Sequence, residues 1–386
     1  VLENDPVVGD PNHCSGLISI KGLKNLKVPY PKRIIENSID AVNFYSPSNL
    51  KLSIERSKKD EIHVFKRNEL DRVLFSFAKD NFDVKGRFNS RVTGLIKKNG
   101  KISGVNVKPR GEKSYSIKSK IVIDASGSLA KFLPQAGLQC PDPKWRLPAM
   151  QFELENVNNF PRNFVELYHG REWAPGFFAW IIPTCEDSVR IGLATWKYNN
   201  FNIKKLLNNF LHKHPIASKL LKNAKISKVR GGLITATGPI SKSFASGYLA
   251  VGDVAGQVKA TTGGGVNVGG YCGRIAGAVA SDHIKNPINF PLSRYDVEWK
   301  RIFYRELKGM EYYRKVIGRV DDKTLDILFK AGINSNFSRS LRTTKDIDMH
   351  TFDLIKAGFK SLRPSVIFSV IKASPMLSLR FFQQIQ

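Results

Sequence analysis

The chain has few cysteines and no long apolar run, and both absences narrow the kind of protein it encodes. Its cysteines occur singly, at Cys14, Cys140, Cys185 and Cys272, with no CxxC pair. Scattered cysteines argue against a zinc finger or a disulfide-stapled fold and fit the reducing cytosol. No uninterrupted apolar stretch is long enough to span a bilayer. We therefore expect a cytoplasmic protein without a structural metal.

Acidic residues are also scarce. The 386 residues include 33 Asp and Glu against 61 Lys and Arg, which gives a net charge of +28. Such an excess favours anionic partners, namely nucleic acid, a membrane surface or phosphorylated ligands, although a compositional bias of the genome explains it equally well. No zinc-finger spacing, helix-turn-helix signature or RNA-binding aromatic motif accompanies the charge, so nucleic acid is not expected as a partner. The length predicts more than one structural unit.

The most informative stretch runs from residue 247 to residue 270. It contains an apolar run at 248–251, the turn Gly252-Asp253, Gly256 and the sequence TTGGG, followed by small residues at helical spacing. This order suits a large phosphorylated cofactor, because glycines let the backbone approach a ligand and free N–H groups at a helix start attract anions. Asp253 can accept hydrogen bonds from sugar or ribityl hydroxyls. A flexible loop is the alternative for the glycines alone.

This stretch resembles the second flavin-contacting motif of FAD-dependent oxidoreductases of the p-hydroxybenzoate hydroxylase fold. Its TGGG form is similar to the geranylgeranyl reductase family. The resemblance implies FAD as the cofactor. It assigns to the flavin site the residues Gly252, Asp253, Gly256, Gly263, Gly264, Gly265, Val266 and Asn267.

The N-terminal residues resemble other parts of the same family. Val1-Leu2-Glu3 is similar to the end of a strand whose terminal carboxylate binds ribose hydroxyls, a role that falls to Glu3. The GxGxxG that precedes this strand in such folds is absent from the sequence, which suggests a fragment or an incomplete gene model.

The segment His13-Cys14-Ser15-Gly16 is similar to the family's cysteine–glycine segment, which lies beside the flavin ring. The resemblance places Cys14 and Gly16 at the cofactor. It makes Cys14 the first candidate for a catalytic acid and His13 the second. Burial as a small apolar residue is the alternative for Cys14.

Two further motifs follow in the family's order. Arg67 precedes a helical pattern with the sequence xxLD, and in the family the corresponding guanidinium reaches the cofactor. A second buried strand, predicted at 120–127, ends in Asp124 and Gly127 and resembles the DxxG motif, in which both residues bridge the sheet and the cofactor. Between these motifs, the alternation over 88–119 predicts a β-meander with a hairpin turn at 98–101.

The segment 175–183 is similar to the aromatic-x-Trp-x-aromatic-Pro motif that lines the isoprenoid pocket of geranylgeranyl reductases. Its positions are occupied by Phe178, Trp180, Ile182 and Pro183, with Ile182 where the family usually has Phe. Phe178 and Trp180 share one face of a strand. An isoprenoid chain offers no polar group to recognise, so large apolar rings are an appropriate wall. An aromatic core strand is the alternative interpretation.

Together the motifs predict a mixed α/β fold with a Rossmann-like FAD domain of the p-hydroxybenzoate hydroxylase type, an antiparallel substrate-binding sheet and a helical C-terminal region. The FAD domain is expected to be discontinuous and to lack its N-terminal strand–helix unit; it covers 1–40, 62–150 and 228–290. The sheet domain is expected at 41–61 and 151–227. The helical region is expected at 291–386.

The resemblance implies an FAD-dependent reductase that saturates carbon–carbon double bonds of geranylgeranyl chains, in archaeal-type ether lipids or in geranylgeranyl diphosphate. An unactivated alkene requires a proton on one carbon and a hydride on the other. The flavin supplies the hydride, while the protein supplies position and an acid. The expected electron donor is NAD(P)H or ferredoxin. The alternatives are a flavin monooxygenase or halogenase of the same fold, against which Trp180, TGGG and the Cys14 segment argue, and a non-catalytic basic membrane-binding fragment.

Three basic segments have helical patterns. Residues 201–224 predict one basic helix, and 295–333 are predicted to be helical. Residues 352–382 mix basic and bulky apolar side chains, which, together with the net charge, predicts peripheral attachment to an anionic membrane where a lipid substrate would reside. A terminal helix packed on the core is the alternative for this last segment.

Overall fold

The structure is a computed structural model that describes residues 1–27, 30–55, 62–158, 160–196 and 202–334. The strands, in chain order, are β1 (Leu17–Ser19), β2 (Ile35–Ile39), β3 (Ala41–Tyr45), β4 (Lys51–Glu55), β5 (Ile62–Phe65), β6 (Ser90–Lys98), β7 (Lys101–Pro109), β8 (Tyr115–Lys118), β9 (Val122–Asp124), β10 (Arg146–Glu155), β11 (Phe164–Tyr168), β12 (Ala179–Pro183), β13 (Val189–Ala194), β14 (Lys225–Thr235), β15 (Phe244–Ala245) and β16 (Tyr248–Ala250). The α-helices are α1 (Ile20–Leu26), α2 (Arg67–Phe82), α3 (Ile203–Lys213), α4 (Ala217–Leu220), α5 (Val266–Lys285), α6 (Ser293–Ile317) and α7 (Asp322–Ile333).

The chain divides into two compact units, each assembled from separated segments. The first unit comprises Val1–Ile35, Phe65–Pro143 and Thr235–Lys308. The second comprises Glu36–Val64, Lys144–Ile234 and the chain from Gly309 onward. Within the described ranges, none of the helices combines the length and the apolarity that crossing a bilayer requires.

In the first unit, β9 and β16 form a parallel pair, and β15 flanks β16. Asp124 lies opposite Ala250 in this register, so the two strands end at the same edge of the sheet. Tyr248 and Ala250 are buried in a core that also contains Leu133 and Val254. β9, the strand that the sequence predicts before Gly127, is less buried than expected. It is the outer strand of its three-stranded sheet, and the Ile123 residue is 43% exposed.

The predicted meander is confirmed, since β6, β7 and β8 pair in that order with antiparallel register. Lys98 pairs with Lys101 across the predicted hairpin turn. Asn99 and Gly100 at its tip have φ angles of 49° and 74°. Asn and Gly adopt this left-handed region at the lowest cost, which is why they form the tight turn that joins two antiparallel strands.

The second unit is built on a seven-stranded sheet in the order β14-β10-β13-β12-β11-β3-β4. The pairings of β13 with β10 and β12, of β12 with β11 and of β3 with β4 are antiparallel, whereas β11 and β3 are parallel. The apolar stripe of α3 packs on one face, against alternate strand residues such as Ile181 and Ile191. Trp180 and Ile182 therefore belong to the opposite face.

The prediction of one helix over 201–224 is wrong, because His214 and Pro215 separate α3 from α4. Proline has no N–H to donate and disfavours helical geometry in the residue before it. His214 is accordingly extended, and its Nδ1 accepts hydrogen bonds from the N–H groups of Ile216 and Ala217 at 3.3 and 3.2 Å. Its ring contacts the rings of Tyr168, Trp173 and Phe210.

We expect this turn to make the fold sensitive to mild acid. Burial lowers the pKa of His214 from 6.5 to about 4, so below pH 6.5 the unfolded chain binds a proton that the folded chain resists. The free energy of unfolding should therefore be highest above pH 6.5 and fall as the pH is lowered toward 4. Denaturant titrations at several pH values measure this slope. His214→Asn keeps an acceptor for the two N–H groups and cannot titrate, so its slope should be shallower; an unchanged slope would contradict the assignment.

Candidate functional site

The turn after β16 fixes the carboxylate of Asp253. The Thr235 hydroxyl donates a hydrogen bond of 2.9 Å to Oδ2 of Asp253. A Cβ added at Gly265 would lie 3.1 Å from Oδ1, so the backbone at the start of α5 approaches this oxygen closely. Burial raises the pKa of Asp253, and the hydrogen bond from Thr235 offsets part of that rise. A buried carboxylate with these contacts retains acceptor capacity for the hydroxyl groups of a ligand.

Gln257 and Tyr295 hold this turn in place. The N–H of Gly252 donates to Oε1 of Gln257 at 2.8 Å, and Nε2 of Gln257 donates to the Tyr295 hydroxyl at 2.9 Å. That hydroxyl donates to the carbonyl of Ala250 at 2.9 Å. A Cβ at Gly256, where φ is +65°, would lie 1.9 Å from the carbonyl oxygen of Gly238, so no larger residue fits there. The sequence did not reveal Thr235, Gln257 or Tyr295, because no local pattern links them to Asp253.

The start of α5 has the features of an anion site. The helix begins at Val266, after the glycines 263–265, and no side chain caps it. Asn267 instead donates from Nδ2 to the carbonyl of Ser19 at 3.1 Å, which ties α5 to the end of β1. The N–H groups of an uncapped first turn and the helix dipole attract anions. A buried hydroxyl acceptor at Asp253 beside such a helix start fits FAD, which carries both hydroxyl and phosphate groups.

The carboxylates of Asp124 and Glu3 accept hydrogen bonds from groups of the protein. Asp124 accepts hydrogen bonds from the Tyr248 hydroxyl and, at 2.9 Å, from the N–H of Ser126. It thereby fixes the turn that leads to Gly127, where φ is +85° and no atom lies within 4 Å of an added Cβ. Glu3 accepts from the N–H of Asp5 at 3.1 Å, and its own N–H donates to the carbonyl of Arg87 at 2.9 Å. Contact of these residues with a flavin stays a prediction.

The structure brings Arg67 and Cys14 together. Arg67 is the first residue of α2. Its guanidinium pairs with Asp71 and interacts electrostatically with the nearby Cys14 side chain. Burial opposes the charge of Arg67, but Cys14 and Asp71 outweigh it and raise the pKa of Arg67. Sγ of Cys14 also accepts from the N–H of Gly16 at 3.4 Å. His13, the second candidate acid, is exposed to solvent.

The apolar candidates lie together in the second unit, with Phe178 directly before β12 and the other three on it. Phe178 and Trp180 are both buried, with ring centroids 6.2 Å apart in edge-to-face geometry. Nε1 of Trp180 donates to Oε1 of Gln151 at 3.2 Å. The shared face predicted for Phe178 and Trp180 thus corresponds to a direct ring contact. Ile182 and Pro183 complete the buried strand.

A buried cation and a partly buried histidine adjoin these rings. The Arg314 guanidinium lies 4.3 Å from the ring centroid of Phe177 and 5.9 Å from that of Phe178. Burial lowers the pKa of Arg314 to about 10. The ring centroids of His169 and Phe178 are 5.9 Å apart. Burial, together with the nearby charge of Arg314, lowers the pKa of His169 to about 4, so its ring is neutral at pH 7. Neither residue belongs to a motif that the sequence displays.

No group of three or more His, Cys, Asp or Glu side chains suited to a metal ion occurs in the described part of the chain. The residues predicted to bind the flavin lie in the first unit, and the apolar candidates lie in the second.

Comparison with known proteins gives a consistent family signal. Residues 147–233 match the model of the geranylgeranyl reductase catalytic domain. A digeranylgeranylglycerophospholipid reductase of Methanocaldococcus jannaschii is 32% identical over 337 residues, which cover 86% of this chain and 83% of that protein. A protein of the same name from Methanococcus aeolicus is 28% identical over 389 residues, which cover 100% of this chain and 91% of that protein.

Solved structures show the same fold. A geranylgeranyl bacteriochlorophyll reductase-like protein from Thermoplasma acidophilum superposes with a TM-score of 0.83 at 22% identity, covering 96% of this chain and 92% of that one. A flavin-dependent brominase superposes with a TM-score of 0.68 at 17% identity, covering 95% of this chain and 90% of that one. The predicted mixed α/β fold of flavin-dependent enzymes is confirmed.

Proposed function

The chain belongs to the geranylgeranyl reductase family, and on that premise we propose that it uses FAD to saturate carbon–carbon double bonds in the geranylgeranyl chains of isoprenoid lipids. As a member of this family it is an FAD-dependent oxidoreductase. The names of its relatives favour a glycerophospholipid with two geranylgeranyl chains as the substrate. Geranylgeranyl diphosphate is the alternative.

The observation that carries this proposal is the strand Ala179–Pro183. It lies within the segment that matches the reductase catalytic domain. Its Trp180 face is opposite the face that packs on α3, so these rings are not needed for the core beneath the helix. A binding wall of large rings suits a chain that offers no hydrogen-bonding group.

In this proposal, separate groups of residues bind the cofactor, donate the proton and position the substrate chain. Asp253 and the start of α5 bind the hydroxyl and phosphate groups of FAD, which, when bound and reduced, supplies the hydride. Cys14 donates the proton, and Arg67 beside it stabilises the thiolate that remains. Phe178 and Trp180 position the isoprenoid chain and exclude water from it.

The test is an assay of purified holoprotein with dithionite as reductant, which removes the need to know whether NAD(P)H or ferredoxin is the natural electron donor. Saturated product from a geranylgeranyl lipid supports the proposal. In a separate aerobic assay with NAD(P)H in place of dithionite, substrate-dependent oxygen consumption without alkene reduction would instead favour a monooxygenase or halogenase, functions of the same fold. Protein without flavin absorption and without turnover would favour the non-catalytic alternative.

We further propose that the enzyme reaches its lipid at an anionic membrane surface. The predicted contact segment, 352–382, lies outside the described residues. Among the described residues, the loop between α5 and α6 is an apolar projection, where Ile288 is 90% exposed and Phe290 is also exposed. Phe290 has two contacts within the first unit: its carbonyl oxygen lies 2.8 Å from Nδ1 of His283, and its ring centroid lies 5.5 Å from the Arg294 guanidinium. Lys285 is exposed beside it.

We expect the protein to sediment with phosphatidylglycerol vesicles and much less with neutral ones, because the net charge of +28 attracts anionic headgroups. Raising the salt should release most of it, since the Debye length falls from about 10 Å at 0.1 M to about 3 Å at 1 M. The double variant Ile288→Ser/Phe290→Ser should bind at least about tenfold more weakly, because burying such a side chain contributes about 1.5–3 kcal/mol.

The matched control is Phe82→Ser, an exposed aromatic residue at the end of α2. It should bind vesicles like the wild type. Equal binding by the double variant and this control would exclude the α5–α6 loop, and binding that ignores lipid charge and salt would exclude electrostatic attachment.

A further inference from the structure

Three residues in one row of the second unit's sheet share an unusual arrangement. Gln151 on β10 pairs directly with Gly192 on β13, and Gly192 pairs directly with Trp180 on β12. Direct partners on adjacent strands point to the same face. The three side chains therefore form a line across three strands, with a glycine in the middle.

The Trp180 side chain crosses this glycine. A Cβ added at Gly192 would lie 2.4 Å from Cζ2 and 2.5 Å from Cε2 of Trp180, distances that no real Cβ tolerates, and 2.8 Å from the backbone carbonyl oxygen of Met150. Nε1 of Trp180 reaches Oε1 of Gln151, two strands away, at 3.2 Å. Neighbouring strands are about 4.8 Å apart, so the indole lies flat on the sheet and spans the whole position of the missing side chain.

Gln151 fixes the direction of the ring. Gln151 and Trp180 are both buried, and a buried indole N–H needs an acceptor, since leaving it unsatisfied costs about 1–3 kcal/mol. Gly192 therefore permits the flat orientation, and Gln151 selects it over others.

The next row of the same face is charged. Glu153 pairs with Arg190 in register, and Arg190 also forms an ion pair of 2.8 Å with Glu36. The Trp180 indole thus presents an apolar surface. The Phe178 ring lies on one side of it, and the row of residues that contains Arg190 lies on the other. Because Gly192 has no side chain, the Trp180 indole can lie directly on the sheet at this position.

We propose that Gly192 and Gln151 determine which apolar chains the enzyme accepts, by holding the Trp180 indole flat so that a methyl-branched isoprenoid chain fits above it. The inference rests on the proposed function, because it requires Trp180 to contact the substrate chain. A methyl group at position 192 would lift or rotate the indole. That change narrows the space for branch methyls while leaving room for a slimmer, unbranched chain.

The test compares the affinities of holoprotein variants for geranylgeraniol, which is branched, and oleyl alcohol, which is not. We expect Gly192→Ala to weaken geranylgeraniol binding at least about tenfold, the size expected for overpacking of 1.4 kcal/mol, and to change oleyl alcohol binding less than twofold. Gln151→Leu should shift the ratio in the same direction by at least threefold. A purely structural defect would weaken both probes alike.

Gly231→Ala is the matched control. It makes the same change on β14 of the same sheet, where the added Cβ would meet only the carbonyl of Ala149 at 3.8 Å. It should leave both affinities and the thermal unfolding temperature at wild-type values.

The variants Trp180→Phe and Trp180→Phe/Gly192→Ala keep the inference falsifiable if Gly192→Ala alone unfolds. A phenyl ring is too short to cross β13, so the added methyl should then change the probe ratio less than twofold. A tenfold change in the probe ratio between Trp180→Phe and Trp180→Phe/Gly192→Ala would place the effect on the strand itself and overturn the inference. The inference would also be overturned if Gly192→Ala and Gly231→Ala had equal affinities for both probes while the wild type binds geranylgeraniol. A wild type that neither binds nor reduces any geranylgeranyl compound would overturn the proposed function, and the inference with it.

Discussion

Asp253→Ala should release the flavin from the purified holoprotein. The carboxylate is buried, Thr235 holds one of its oxygens, and the backbone of Gly265 lies against the other. On the proposed function, its remaining acceptor capacity binds hydroxyl groups of FAD. If two such hydrogen bonds form, their loss, at about 1.5–3 kcal/mol each, corresponds to at least about a 100-fold rise in the dissociation constant of FAD. The ratio of flavin to protein absorbance after desalting measures the effect.

Two further variants make this test specific. Asp253→Asn keeps one acceptor oxygen in the same shape, so we expect intermediate flavin retention. Asp282→Ala removes a carboxylate from the far end of the same helix, where it pairs with Arg294, and should retain flavin normally. If Asp253→Ala and Asp282→Ala hold equal flavin at equal helicity by circular dichroism, Asp253 does not belong to the flavin site.

The pKa of Asp253 adds a pH dependence to flavin binding. Burial raises this pKa, so the carboxylate becomes protonated at a higher pH than an exposed aspartate does as acid is added. Flavin retention should therefore weaken on mild acidification in the wild type and remain unaffected in Asp253→Asn.

Cys14→Ala should keep the flavin and lose alkene reduction. The charge of Arg67 interacts with the Cys14 side chain, and the N–H of Gly16 donates to its sulfur. On the proposed mechanism, both groups would interact favourably with the thiolate left by proton transfer. A general acid contributes about 10²–10⁴-fold to a rate, and we expect turnover to fall by that factor. Single-turnover assays with pre-reduced holoprotein measure it without interference from the electron donor.

His13→Ala is the neighbouring control. Its side chain is exposed, and we expect its turnover to match the wild type. A loss within about threefold for Cys14→Ala, too small for a general acid, would assign Cys14 to packing. A large loss for His13→Ala in the same assay would then make His13 the acid.

The sequence predicts those parts of the site whose residues are contiguous in the chain. The strand, carboxylate turn and glycine-rich helix start of 248–266 follow one another in the chain, and the structure has β16, the Asp253 turn and α5 in that order. The period of two predicts one face for Phe178, directly before β12, and Trp180 on it, and their rings pack edge to face. Such local patterns need no knowledge of strand order.

The parts that the sequence does not predict depend on register and on distant segments. Thr235, Gln257 and Tyr295 reach the Asp253 turn from separate elements. Gly192 and Gln151 become meaningful only when β10, β13 and β12 are adjacent and in register. The break at Pro215 is different, because the proline itself is visible in the sequence and lacks the N–H that a continuous helix over 201–224 would need.

The most direct test of the reductase assignment is an anaerobic single turnover. Holoprotein reduced with dithionite is mixed with a geranylgeranyl glycerophospholipid, while flavin absorbance and product mass are followed together. The account predicts that flavin absorbance returns without oxygen, in step with the gain of two hydrogens per double bond, and that Trp180→Ala slows this return. Flavin that stays reduced until oxygen is admitted, with no change in lipid mass, would contradict the account.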